Sequence, residues 1–157
     1  MKLFQIEEPE GGPNGPSAPG AAIGIDASGV DIEVAVSVGG NAVVLADREG
    51  FEQSLPVPAA DGTVGRWRQL FEGARLRAER ALGRPVTHAV IVSRILRDTA
   101  AAARIEEAAE QAGLVVLRLV AATELPSDVA PASAAAVLAE DLAPRPDPGA
   151  ALGADFT

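Results

Sequence analysis

Cysteine and tyrosine are absent from this 157-residue chain, and histidine, lysine, methionine and tryptophan occur once each. Without cysteine there is no disulfide framework, no thiolate nucleophile and no cysteine-ligated metal. The lone histidine, His88, argues against a zinc site and against a Ser-His-Asp triad, and as a general base it has no evident partner. Aromatic residues make up 3% of the chain, so a core must rest on Val, Leu, Ile and Ala. No apolar run approaches the ~20 residues of a membrane span. Met1 to Gly20 has no apolar core following a basic start and so does not read as a signal peptide, which predicts a cytoplasmic protein. The net charge of −9 leaves too little basic surface for nucleic acid as a partner. Twelve of the thirteen basic residues are arginine, and this usage, with abundant alanine, fits a GC-rich bacterial genome.

What is present is enough for one domain. Residues 1–20 carry Gly11, Gly12, Gly15 and Gly20 with Pro9, Pro13, Pro16 and Pro19. Such a segment buries too little to offset its ordering entropy and is expected to be a flexible arm. Residues 143–157, with Pro144, Pro146, Pro148, Gly149 and Gly153, read as a second flexible tail. The folded part is then 21–142. Within the arm, Leu3, Phe4 and Ile6 precede an acidic run and form a candidate docking motif. The plainer reading, a solvated tail with a few chance apolar residues, is favoured by its composition.

Ala21 to Asp26 is a short apolar run ending in an acid. From Val30 to Val38 apolar residues alternate with Asp31, Glu33, Ala35 and Ser37, the pattern of a half-buried strand. Gly39-Gly40-Asn41 signals a hairpin, and Ala42 to Asp47 is the returning strand. Pro56 and Pro58 exclude an interior strand over 51–58. Asp61-Gly62-Thr63 opens a helix to about Leu82, with an apolar stripe of Val64, Trp67, Phe71, Ala74, Ala78 and Ala81; Gly83 and Pro85 end it. His88 to Ser93 is a fourth strand, apolar enough to be central. Asp98 caps a second helix that stops at Gly113, Leu114 to Val120 is a fifth strand, and Pro131 starts a last helix.

The order is βββ-α-β-α-β-α. Strands joined through helices run parallel with right-handed crossovers. The expectation is an α/β fold of ribonuclease-H-like type: a mixed five-stranded sheet in the order 3-2-1-4-5, with three helices.

An ordered set of segments carries a family resemblance. Ile23-Gly24-Ile25-Asp26, the Val-rich second strand, and Glu49-Gly50 before Ser54-Leu55-Pro56 come first. Ala78 to Gly83, Val86 and Ala89 to Val92 follow, then Asp98, Ala108-Ala109, Ala112-Gly113-Leu114, Val116 and Arg118-Leu119-Val120. Thr123-Glu124 and Ser133 to Ala136 complete it. Together they resemble one lobe of the actin-like ATPases of the DnaK-type heat-shock chaperone group, over about 21–142. In that family two such lobes hold ATP between them, and this chain stops where the second would begin. The family turn Asp-Leu-Gly-Thr-Thr after the first strand presents N–H groups and hydroxyls to phosphate; here it is Asp26-Ala27-Ser28-Gly29-Val30. Ser28 replaces the glycine and both threonines are gone. The insertion bearing the family's catalytic lysine is also missing, and Lys2 lies in the arm. The resemblance therefore implies a pseudo-ATPase with no cofactor and no catalytic residue.

Each candidate site has a structural alternative. Asp26 could hold a water on Mg²⁺, but one carboxylate is a poor magnesium site without substrate phosphates, and a turn-capping acid is the plainer reading. Ser28-Gly29 could form a small anion-binding turn, or simply a tight β-turn. A two-metal nuclease is disfavoured, because the fourth strand ends in Ser93-Arg94 rather than an acid. The first helix and the residues just past it, to Arg84, carry six arginines against two glutamates, and Arg66, Arg68, Arg75 and Arg77 are candidates for docking an acidic partner. A solvated face with pairs such as Arg75–Glu79 is the equal alternative. The reading is a non-catalytic interaction or assembly subunit that binds another protein, within a larger complex or paired with a second copy. The alternative is a half-site for Mg-ATP, with Asp26, Ser28 and Gly29, completed by a partner chain or by dimerisation.

Overall fold

The computed structural model describes residues 20–45 and 55–144. Leu3, Phe4, Ile6, Glu49, Gly50 and nearly all of the two proposed tails lie outside these residues. The compact unit is Ala21–Ala143. Its strands are β1 (Ala21–Asp26), β2 (Glu33–Val38), β3 (Asn41–Val44), β4 (Val86–Ser93) and β5 (Val115–Ala121). Its helices are α1 (Val64–Leu82), α2 (Thr99–Gln111) and α3 (Pro131–Leu142), with one 3-10 turn at Ala122–Glu124.

The sheet order is β3-β2-β1-β4-β5, as expected from the pattern of elements. β1, β2 and β3 pair antiparallel, whereas β4 lies parallel to both β1 and β5. The hairpin turns through Gly39 (φ +63°) and Gly40 (φ +84°), and two successive positive φ values give the turn whose twist matches paired strands. Pro56 bridges Asp31 beyond the end of β3, with Ile32 N–H donating to Leu55 and Val57 N–H to Val30, both at 2.9 Å. The proline thus sits on an edge, where its missing donor costs nothing.

The helix caps follow from the residue types. The Thr63 hydroxyl accepts from Arg66 N–H, and Gly83 closes α1 in the left-handed region (φ +68°). The Asp98 carboxylate accepts from the N–H groups of Ala100 and Ala101, each at 3.1 Å.

Helices α1 and α2 cover one face of the sheet. Ile23, Ile25, Val34, Ala89 and Ile91 pack there with Trp67, Phe71 and Ile105. The Trp67 and Phe71 rings stack with centroids 5.9 Å apart. Burying each is worth about 1.5–3 kcal/mol, a large share of a core with few other bulky residues. The α1 stripe differs from the sequence pattern: Leu70 is buried and Ala81 is exposed. The stripe turns towards Leu70 and Leu82, which reach the core where Ala81 does not.

Helix α3 covers the other face, on Ala35, Val90, Val92 and Val120. This corrects the half-buried reading of β2. Ala35 and Ser37 are buried under α3, while Val30, before the strand, and Val38, at its end, are 80% and 74% exposed. Alanine and serine are small enough to take a helix laid on them, so the face that looks polar by alternation is interior at Ala35 and Ser37, while Asp31 and Glu33 on it stay exposed. The contact is closest at Gly24, where a Cβ would lie 2.3 Å from Ala136 N and 2.6 Å from Ala132 O. Glu140, near the end of α3, holds the hairpin: its carboxylate accepts from Gly39 N–H (2.7 Å), Gly40 N–H (2.9 Å) and the Ser37 hydroxyl (2.8 Å).

β4 carries one extra residue relative to β1, because Ala21 pairs with Val86 and Ala22 with His88. This irregularity lets Val86 and Ala89, three residues apart, both face α1 and α2.

Candidate functional site

The parallel strands β1 and β4 deliver their carboxyl ends side by side. From there the chain leaves β1 towards β2 and leaves β4, through α2, towards β5. Open α/β sheets form a crevice where connections diverge in this way. Here it is a cavity of about 370 Å³. Ala27, Gly29 and Val30 from the β1–β2 turn form one side, with Ser93, Arg94 and Ile95 beyond β4 and Trp67 of α1. Segment 57–60 forms the remaining wall.

That wall is held from two sides. Val57 bonds to Val30, and the Arg104 side chain of α2 donates through Nη2 to the Ala60 carbonyl. The chain turns at Gly62, where a Cβ would lie 2.8 Å from Pro58 Cβ and 3.3 Å from Trp67 Nε1. Two buried donors in this neighbourhood, Trp67 Nε1 and Arg104 Nε, meet no acceptor among the described residues. Arg94 is exposed at the mouth and has no ion-pair partner among them.

The turn residues divide. Gly29 lines the cavity, whereas Asp26 and Ser28 do not. Alternation along β1 places Asp26 with Gly24 on the α3 side, while Ile23 and Ile25 face α1 and α2. The Asp26 carboxylate turns back on its own loop, accepting from Ser28 N–H (2.9 Å) and from the Ser28 hydroxyl. Among the described residues no three acids or histidines are grouped to hold a metal ion, and no helix is long and apolar enough to cross a membrane.

A second groove, of about 350 Å³, runs between segment 55–59 and α1, with Leu55, Val57 and Leu70 as apolar lining and Arg66 and Gln69 beside them. It shares Val57, Pro58 and Ala59 with the first cavity, so one thin segment separates the two. The four docking arginines have different surroundings. Arg66 and Arg68 are exposed. Arg75 is half-buried and bridges the two helices: Nε donates to the Ala112 carbonyl at 2.7 Å and Nη1 to Glu79 at 3.0 Å. Glu79 in turn accepts from Val86 N–H, which ties α1 to the start of β4. Arg77 is half-buried and also has an interaction partner. His88 is half-buried, its Nδ1 lies 2.7 Å from the Thr87 hydroxyl, and burial lowers its pKa from the ordinary 6.5.

The sequence pattern points to Trp67 only as core and to Ser93-Arg94 only as a strand end lacking an acid. The place of Ser93-Arg94 at the end of a parallel strand is the available signal for a cavity. No family model matches the chain, and no curated protein matches it.

Proposed function

We propose that this protein is a non-catalytic, cytoplasmic interaction or assembly subunit built on a ribonuclease-H-like lobe related to the DnaK-type chaperone ATPases. The observation that carries the reading is the Asp26 turn. The one acid at the position of the family's magnesium-side carboxylate is bonded within its own loop to Ser28, on the α3 side of the sheet. The turn has also lost the hydroxyls that the family directs at phosphate. The partner is a protein segment bearing carboxylates: Arg66 is exposed and lines an apolar groove, in a chain otherwise strongly acidic.

Calorimetry with Mg-ATP and Mg-ADP tests this. The expected result is no binding heat with either nucleotide. Micromolar binding that disappears in Asp26→Ala would overturn the reading in favour of a nucleotide half-site completed by dimerisation or a partner.

A further inference from the structure

From the cavity at the ends of β1 and β4 we infer a binding site for a small organic acid with an apolar body and a second oxygen acceptor. The site is separate from the protein-docking groove. Its volume of about 370 Å³ falls at the small end of ligand pockets. Its lining is mostly carbon, from Ala27, Val30, Val57, Pro58, Trp67 and Ile95, which suits an aliphatic chain and not a polyphosphate.

Three polar side chains bear on the ligand's chemistry: Ser93, whose Oγ already accepts from Ile95 N–H at 3.2 Å, and two donors without a charge or acceptor partner among the described residues, Arg94 and Trp67. Arg94 stands at the mouth without an ion-pair partner among the described residues, and a guanidinium fork matches a carboxylate. The wall also includes fully buried Trp67, whose Nε1–H lies against Gly62, behind the lining, and has no acceptor among the described residues. A buried donor left unpaired is costly, and a ligand oxygen that reaches it after a small movement of segment 58–60 removes that cost. Acid group at the mouth, carbon chain on the apolar lining and carbonyl towards the indole is the arrangement that uses both unpaired donors. Asp26 plays no part, because it does not line the cavity.

Trp67 is the chain's one tryptophan, so its fluorescence reports the site directly. The probes are 5-oxohexanoate, hexanoate and neutral 2-hexanone, titrated into the full chain with calorimetry in parallel. 5-Oxohexanoate is expected to saturate with a Kd of about 0.1–10 mM, as its small size dictates. Hexanoate is expected to bind more weakly, and the ketone more weakly still. Arg94→Gln, a change at an exposed residue, is expected to weaken 5-oxohexanoate by about tenfold or more. Three results would each overturn the assignment: no saturable change with either acid, equal binding to Arg94→Gln, or hexanoate binding as tightly as the keto acid.

Discussion

Gly24→Ala tests whether the backbone of α3 rests directly on β1. A Cβ at position 24 would sit 2.3 Å from Ala136 N, 2.6 Å from Ala132 O and 2.7 Å from the Ala135 carbonyl carbon. All three are main-chain atoms of a helix, so no side chain can rotate away. Ordinary contact begins at 3.4 Å, so α3 must retreat by about 1 Å, which forfeits roughly a quarter to a half of each contact's dispersion energy. The interface has little in reserve, because the fully buried residues of α3 are all alanines, Ala132, Ala135, Ala136 and Ala139, and Leu138 is only partly buried beside them. The expected cost is about 3 kcal/mol or more, at the upper end of overpacking effects. Against a total stability of about 5–15 kcal/mol, that lowers Tm by about 10 °C or more. Urea and thermal unfolding, followed by circular dichroism and Trp67 fluorescence, measure it. Gly29→Ala is the control: its nearest neighbour would be Asp31 O at 3.7 Å, and it should stay within about 0.5 kcal/mol of the parent. A Gly24→Ala protein as stable as Gly29→Ala would refute the close approach.

Two further outcomes follow from the polar contacts. Glu140→Ala removes the acceptor for two hairpin N–H groups and the Ser37 hydroxyl; it should cost about 1–3 kcal/mol and speed amide exchange at Gly39 and Gly40, and unchanged exchange there would refute the clamp. Burial holds the folded-state pKa of His88 below 6.5, so the unfolded chain binds that proton more readily. Its contribution is therefore undiminished above pH 6.5, declines as pH falls from 6.5 to the lowered folded value, and levels off below it. The stability difference between the parent and His88→Gln, followed from about pH 7.5 to about pH 5, should show that slope; a flat difference would count against desolvation of His88.

The sequence by itself determined the order and type of the elements, the hairpin at Gly39-Gly40, the caps at Asp98 and Gly83, and the strand order 3-2-1-4-5. These are written in local signals: apolar period, turn residues, and the rule that helical crossovers make strands parallel. Tertiary structure decided what depends on residues far apart in the chain. β2 is covered on both faces because α3, about a hundred residues later, lies on Ala35 and Ser37, and alternation cannot report a helix that arrives from elsewhere. Gly24 looks like any strand glycine until the backbone of Ala132–Ala136 is seen against it. Arg75, one of five arginines on a basic helix, proves to join α1 to the end of α2. The cavity joins residues from 27 to 95, and only the packing of the layers brings Trp67 and Arg94 to one cavity. Local preferences act over a few bonds and can be read in order along the chain, whereas a site is a coincidence of distant surfaces that exists only once the layers have packed.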